Sequence, residues 1–256
     1  MKAIFFIRQL ILVAVCGLFL FSGYGQSIRY SVANGHAHND YEHNIPFTEA
    51  YNLGLGSIEA DVILEGDTLF VGHNRQDIFE KPLYFERDYI QPLVKSLSLQ
   101  KDSSRKVLLL IDLKTPAIPT LKKVIEIIEN HPLLTTNRGV QFVITGNQPA
   151  PADFDSYPPY IYFDGNINNP GHIRHIDRIG LFSDNFRKYS SWNGKGKISI
   201  EEQKALTGLI QKAHNLNRQI RFWGCPDNLH TWQVFMRLQV DYLNTDHIYP
   251  FADYFR

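Results

Sequence analysis

The chain has 256 residues, with 26 basic and 26 acidic side chains and a formal net charge of zero. A broad nucleic-acid surface needs an excess of basic residues, so this balance argues against such a surface, and we expect no nucleic-acid partner. The part that follows residue 25 is long enough for one α/β barrel or another large single domain. It contains only one cysteine, Cys225, so it cannot form an intramolecular disulfide.

The first 25 residues have the pattern of a signal peptide. Lys2 and Arg8 precede an apolar run over residues 10–21, and small glycines at positions 23 and 25 precede a cleavage site before Gln26. An uncleaved membrane anchor is the alternative, but a span needs about 20 apolar residues. We therefore expect residues 1–25 to be removed, residues 26–256 to form one domain, and the protein to be secreted or periplasmic.

Short apolar runs then alternate with amphipathic stretches. The predicted strands are residues 30–33, 57–62, 107–112, 141–145, 160–163, 179–183, 219–223 and 241–244. The predicted helices are residues 47–53, 89–99, 119–130, 200–215 and 229–238. A further short strand is expected just before His73, and no helix is expected over residues 147–159. Alternation of this kind predicts a parallel sheet covered on both faces, and the leading architecture is α/β, a single-domain (β/α)8 TIM barrel.

Ionisable and amide side chains lie at the ends of the predicted strands. They are His36, His38, Asn39, Glu59, Asp61, His73, Asp112 and Lys114. Such groups are costly to bury unless they share a metal or a charged substrate. Glu59 and Asp61 are two residues apart, so both carboxylates face one side of a strand. With Asp112 and the Asn39 amide they form an oxygen ligand set that suits Mg²⁺ or Ca²⁺. A solvated edge strand that carries charges by chance is the alternative.

The histidines and the lysine suggest a reaction. His38 and His73 each lie beside a strand end, and an imidazole titrates close to neutral pH, so the pair suits a general base and a general acid. His36 lies on the same face as His38 and is a supporting candidate. Lys114 is two residues after Asp112, shares its face, and carries a charge that complements a phosphate.

The order of these motifs resembles the superfamily of phosphatidylinositol-specific phospholipases C and glycerophosphodiester phosphodiesterases. One matching segment is His38-Asn39-Asp40-Tyr41, which is similar to the His-Asn-Thr-Tyr of eukaryotic-type phospholipases C. Another is Ile111-Asp112-Leu113-Lys114, which is similar to the Leu-Asp-Leu-Lys of sphingomyelinases D. The superfamily also has counterparts of Glu59-Ala60-Asp61, His73, Arg221-Phe222-Trp223 and Val240-Asp241-Tyr242-Leu243-Asn244-Thr245-Asp246. The resemblance implies a catalytic first histidine, a metal-binding Asn39, and substrate contacts by Lys114 and Trp223.

The chain departs from the phosphodiesterases proper at the first site. It lacks the Arg and Gly that follow their first histidine, and the insertion after their second histidine is absent. Gly35-His36 is similar to the Gly-His of sphingomyelinases D, so His36 is an alternative first catalytic histidine. We favour His38 because its neighbour Asn39 completes a metal shell. The chain therefore resembles an outlying branch of the superfamily.

The resulting expectation is an exported, metal-dependent phosphodiesterase. Its substrate would be a small-molecule or lipid phosphodiester, a glycerophosphodiester or a phospholipid head group, with transient contact to a membrane surface. Two other classes stay open: an amidohydrolase-type metal hydrolase, because that family also opens with His-x-His, and a non-catalytic lipid- or carbohydrate-binding barrel. The sequence does not indicate an oligomeric state.

Overall fold

The computed structural model describes residues 28–99 and 105–256. The predicted signal peptide lies outside these residues. Within the described ranges, no helix combines the length and apolar character that a membrane span requires.

The described residues form strands and helices that alternate along most of the chain. The strands are β1 (Gly35–Ala37), β2 (Ser57–Glu65), β3 (Thr68–Val71), β4 (Leu83–Tyr84), β5 (Val107–Leu113), β6 (Val140–Gly146), β7 (Ile161–Gly165), β8 (Ile179–Asn185), β9 (Gln219–Trp223) and β10 (Leu243–Thr245). The α-helices are α1 (Thr48–Leu53), α2 (Arg75–Glu80), α3 (Gln91–Leu99), α4 (Ala117–Glu129), α5 (Pro132–Thr136), α6 (Pro170–Arg174), α7 (Ile200–Asn215), α8 (Leu229–Leu238) and α9 (Ile248–Tyr254).

The strands form one mostly parallel sheet in the order β10-β1-β2-β5-β6-β7-β8-β9, and an antiparallel extension pairs β3 with β2 and with β4. The predicted α/β class with a parallel sheet is thereby confirmed. The two ends of this order also meet, because an isolated parallel bridge joins Arg221 of β9 to Tyr242, which precedes β10.

Apolar side chains pack on both faces of the sheet. On β5, Leu109 and Ile111 belong to the large core between strands and helices. The alternate residues Leu108 and Leu110 belong to a separate small cluster with Val143 and Leu181. Because side chains alternate along a strand, Asp112 continues the row of Leu108 and Leu110. The site residues therefore lie on the inner face, above this small cluster, at the carboxyl ends of the strands.

Several predicted boundaries differ from the structure. The first predicted strand, residues 30–33, is wrong: Ser31 caps a 3-10 helix over Val32–Asn34, and β1 follows it. The helix predicted over residues 89–99 begins with a π-helical turn, Glu86–Ile90. The absence of an α-helix from residues 147–159 is confirmed, since this segment holds only the 3-10 helix Pro151–Ser156. The short helices α2, α5, α6 and α9 were not predicted, because five to seven residues carry little periodicity.

Candidate active site

Three carboxylates meet at the carboxyl ends of β2 and β5. Glu59, Asp61 and Asp112 each offer an oxygen, and these oxygens lie within 4.8 Å of one another. These oxygens lie close together because the parallel register of β2 and β5 pairs Asp61 directly with Asp112. Glu59 is two residues before Asp61 on β2, so it lies on the same inner face. Glu59 and Asp61 are buried and Asp112 is partly exposed. The predicted convergence of these three residues is therefore present in the structure.

This acidic triad has the chemistry of a site for a hard cation. Asp61 Oδ1 is buried and has no hydrogen-bond partner among the described residues. Burial, together with the negative charges of Glu59 and Asp112, raises the pKa of Asp61 to about 6. A buried carboxylate oxygen without a partner, beside two further carboxylates, fits the oxygen coordination of Mg²⁺ or Ca²⁺.

Lys114 lies against two members of the triad. Its Nζ is 2.8 Å from Asp112 Oδ2 and 3.0 Å from Asp61 Oδ2. Burial on its own lowers the pKa of Lys114, but the Asp61 and Asp112 charges outweigh it and raise the pKa above its usual value. The ammonium therefore stays charged at the edge of the triad, as expected of a group that binds an anionic substrate.

Gly146, at the end of β6, makes room for Asp112. A Cβ atom on this residue would lie 2.0 Å from Asp112 Oδ1, and the residue has a φ of +72°, which favours glycine. Sequence analysis missed this position. The signal in the sequence is a glycine that directly follows the predicted strand 141–145, the strand next along the chain after the one that carries Asp112.

His38 immediately follows β1 and is paired with a carboxylate. Its Nδ1 lies 2.7 Å from Asp246 Oδ1. Because a carboxylate only accepts, Nδ1 carries the proton and Nε2 is the nitrogen left for substrate. Burial alone lowers the pKa of His38, but the hydrogen bond to Asp246 and the charge of Glu59 outweigh it and raise the pKa. Sequence analysis placed Asp246 in a matching motif without giving it a role.

His73 lies beside Asp61 of the triad, just after β3. Its Nδ1 is 3.0 Å from Asp61 Oδ2, and its side chain is 66% exposed. The backbone N–H of Gly72 donates to the Asp61 carbonyl at 3.0 Å, which holds this segment beside β2. His73 is thus oriented by a triad carboxylate and remains open to solvent.

His36 is fully buried beneath the triad. Its Nδ1 lies 2.7 Å from Ser57 Oγ, and its Nε2 contacts both Glu59 Oε2, at 2.8 Å, and the Arg221 guanidinium. Burial and the Arg221 charge lower the pKa of His36 to about 4. A neutral ring with both nitrogens occupied holds its neighbours in place and offers no atom to a substrate.

Arg221 of β9 organises this buried layer and was not predicted as a site residue. Its Nε donates to Ser183 Oγ at 2.8 Å, and its Nη1 lies 3.2 Å from Asn244 Oδ1 and 3.4 Å from Glu59 Oε2. Burial alone raises the pKa of Glu59, but Arg221 and then His36 hold it well below its usual range. Glu59 is therefore ionised, with Oε2 engaged by Arg221 and His36.

The predicted site residues other than His36 surround one cavity of about 320 Å³. They are His38, Asn39, Glu59, Asp61, His73, Asp112, Lys114 and Trp223. Asn39 has a left-handed backbone and accepts a hydrogen bond from Tyr41 OH at 3.1 Å. Trp223 ends β9 with 42% of its surface exposed. A larger cavity, of about 1160 Å³, opens at the amino ends of the strands and contains none of the predicted site residues.

Two family models match the chain. An AIM6-like phosphodiesterase domain matches residues 29–105, which include both flanking histidines, Glu59 and Asp61. A glycerophosphoryl diester phosphodiesterase family matches residues 219–249, which include Arg221 and Asp246. The two matched ranges therefore include site residues from the first and the last part of the described chain.

Curated relatives are similar over most of the chain. The proteins named "Altered inheritance of mitochondria protein 6" from Eremothecium gossypii and Kluyveromyces lactis are 29% and 27% identical, over 82% and 87% of this chain and 66% and 72% of their own lengths. The chain thus spans about two thirds of the length of these relatives.

A solved structure shares the fold. The crystal structure of a glycerophosphodiester phosphodiesterase from Parabacteroides distasonis superposes with a TM-score of 0.57 at 11% identity, over 88% of this chain and 94% of that one. The family models and this common fold agree with the order of motifs along the strands. The chain is therefore similar to the glycerophosphodiester phosphodiesterase-like superfamily, as its motifs predicted, and it resembles an outlying branch of that superfamily.

Proposed function

We propose that this protein is a metal-dependent phosphodiesterase that cleaves a glycerophosphodiester or a phospholipid head group. The observation that carries the proposal is the single cavity in which the acidic triad is flanked by His38 and His73 and bordered by Lys114. Carboxylates for a cation, two imidazoles and an ammonium are the groups that phosphodiester cleavage requires.

The two histidines divide the proton transfers. His38, held by Asp246 with Nε2 toward the cavity, takes the proton from the attacking hydroxyl, which belongs to water or to the substrate itself. A new P–O bond forms as the bond to the leaving alcohol breaks. His73, held by Asp61, gives a proton to the departing alkoxide. The roles exchange if substrate binds in the reverse direction.

Lys114 and a cation held by the acidic triad would stabilise the negative charge of the substrate phosphate. Glu59, Asp61 and Asp112, with Asn39 next to them, would hold Mg²⁺ or Ca²⁺, which when bound polarises a phosphate oxygen and lowers the pKa of an attacking hydroxyl. Lys114 stabilises the charge that develops on the phosphoryl oxygens. Trp223, exposed at the rim, offers an apolar wall to the substrate.

The geometry favours His38 over His36 as the first catalytic histidine. It also disfavours the amidohydrolase alternative, in which both histidines of a His-x-His pair bind one metal. Here the two rings have separate partners, Glu59 and Asp246. The potential metal ligands that cluster among the described residues are all carboxylates.

The proposal also includes the fold of the domain that carries the site and the location of the protein. We propose that residues 26–256 form one domain whose eight parallel strands close into a (β/α)8 barrel. The bridge between Arg221 and Tyr242 supports closure, as does the contact of Arg221 with side chains from β1, β2 and β10. Export through the signal peptide at residues 1–25, and transient contact with a membrane surface, belong to the same proposal.

Turnover by the purified protein tests the function. The protein is incubated with glycerophosphodiesters, lysophospholipids and phosphoinositides, with Mg²⁺, with Ca²⁺, and with chelator. We expect cleavage of at least one diester that chelator abolishes and Mg²⁺ or Ca²⁺ restores. Activity restored by Zn²⁺ on an amide instead would favour the amidohydrolase. No turnover in any condition would favour a binding protein.

A further inference from the structure

We propose that Asp227 is a positioning residue that holds Asp246 beside His38. This inference rests on the proposed function, in which Asp246 orients the His38 imidazole for proton transfer. Asp227 lies in the segment between β9 and α8 and is not among the described residues that line the cavity. It therefore acts on the reaction through Asp246 and not by contact with the substrate.

The pairing of His38 with Asp246 needs support from elsewhere in the protein. The two side chains are 31% and 45% exposed, and the His38 ring nitrogen is 2.7 Å from the Asp246 carboxylate oxygen. Exposed pairs of this kind are weak, because holding two side chains in one geometry costs rotamer entropy. Asp246 also directly follows β10, a strand of only three residues. The carboxylate stays beside His38 only if the backbone that carries it is fixed.

Asp227 fixes that backbone with one of its carboxylate oxygens. Its Oδ2 accepts a hydrogen bond from the backbone N–H of Asp246 at 2.8 Å and another from Thr245 Oγ1 at 3.1 Å. On the other side of the same segment, the backbone N–H of His38 donates to the Thr245 carbonyl at 3.1 Å. The end of β10 is thus held between the backbone of His38 and the side chain of Asp227.

The second oxygen anchors Asp227 in the core. Its Oδ1 accepts a hydrogen bond from the indole Nε1 of Trp232 at 2.9 Å. Trp232 is buried and packs edge-to-face on Phe251, with 5.0 Å between the ring centroids. Three donors therefore converge on Asp227, and an ionised carboxylate, which only accepts, suits all of them. Because a buried indole fixes one oxygen, the other oxygen has a defined position.

A local role as a helix cap does not account for these contacts. The first turn of α8 is capped by the next residue, Asn228, whose Oδ1 accepts from the Thr231 backbone N–H at 3.0 Å. The Asp227 carboxylate instead joins the segment after β9 to the end of β10. Its position therefore sets that of Asp246.

The tautomer of His38 tests the inference without requiring turnover. In the wild type, the hydrogen bond to Asp246 keeps the proton of the neutral ring on Nδ1. Two-bond ¹H–¹⁵N NMR spectra, recorded at a pH where the ring is neutral, show which ring nitrogen carries the proton. Asp227→Ala should lose this preference, so that the Nε2-protonated form appears. On a diester that the wild type cleaves, kcat should fall by about 10- to 100-fold, the effect of a misplaced catalytic group, while KM changes less.

Asp227→Asn is the conservative variant. Its amide oxygen can still accept from Asp246 and Thr245, while its NH₂ group, which cannot accept, replaces the oxygen that binds Trp232. The Nδ1 tautomer of His38 and most of the wild-type kcat should therefore be retained. Asp227→Ser, whose hydroxyl is too short to reach Asp246, carries the test if the alanine variant does not fold.

Asp241→Ala is the matched control. Asp241 also accepts from a backbone N–H, that of Ile220 at 2.9 Å, and from a side chain, that of His214 at 2.8 Å, but it precedes β10, whereas Asp246 follows it. This variant should lose thermal stability, as Asp227→Ala does, and keep the Nδ1 tautomer of the catalytic histidine.

Two results would overturn the inference. One is an Nδ1 tautomer of His38 that survives in Asp227→Ala or, where that variant does not fold, in Asp227→Ser. The other is an equal loss of this tautomer in Asp241→Ala, which would indicate a general loosening of the fold. Absence of cleavage of any diester by the wild type would count against the proposed function instead, because the NMR measurement does not depend on turnover.

Discussion

Gly146→Ala tests whether the acidic triad is built to bind a cation. Gly146 contributes no side chain to the site, but its missing Cβ leaves the space that Asp112 Oδ1 occupies. An added methyl group would lie 2.0 Å from that oxygen and 2.8 Å from the Leu113 carbonyl oxygen. Because both distances are below van der Waals contact, the Asp112 carboxylate or the backbone beside it must move, and the geometry of the triad changes.

Two effects of this substitution can be separated by magnitude. The left-handed backbone costs a non-glycine residue about 1–2 kcal/mol, which corresponds to a loss of roughly 2–8 °C in Tm for a domain of this size. Displacement of a metal-binding carboxylate should weaken Mg²⁺ or Ca²⁺ binding by about 10- to 100-fold, the usual effect of disturbing the support of a ligand. Thermal melting measures the first effect, and calorimetric titration with metal measures the second.

Gly66→Ala supplies the control. Gly66, in the turn between β2 and β3, also has a left-handed φ, of +60°, but no atom lies within 4 Å of the point that an added Cβ would occupy. It should therefore lose a similar amount of stability and keep its metal affinity. If Gly146→Ala binds metal as tightly as the wild type does, or if both variants lose affinity equally, the triad does not depend on the space beside Asp112 and the argument fails.

Three further predictions concern the charged groups of the site. Glu59→Gln leaves the buried Arg221 charge without its carboxylate and should lower the free energy of unfolding by about 3–5 kcal/mol; a urea melt that matches the wild type would contradict this. His38→Ala and His73→Ala should each lower kcat by about 10²- to 10⁴-fold on a phosphodiester with a smaller change in KM, and activity that survives in both variants would end the acid–base assignment. Asp246→Asn should move the NMR titration midpoint of His38 to lower pH, because its carboxylate raises that pKa. The pair stabilises the wild type fully below the unfolded histidine pKa of about 6.5, and this contribution is lost as pH rises through the higher folded-state pKa; an unmoved midpoint would refute the pairing.

The sequence alone predicted the residues of the triad and its flanks. Glu59 and Asp61 share a face because side chains alternate along any strand. Asp112 ends an uninterrupted apolar run, which is typical of a strand that is covered on both faces. Parallel strands bring their carboxyl ends to one edge, so convergence followed from element type alone. These are local rules, which is why they held even where the strand boundaries were misplaced, as at β1.

Only the tertiary structure decided what each polar group does. The sequence favoured His38 over His36 only through the neighbouring Asn39. In the structure, His36 contacts Glu59 and Arg221, whereas His38 contacts Asp246, more than 200 positions along the chain. Arg221 was part of a matching segment, but the sequence did not indicate its contacts with Glu59, His36 and Asn244. These partners come from other strands, and the register between distant strands is set by packing of the whole sheet, which no short segment encodes.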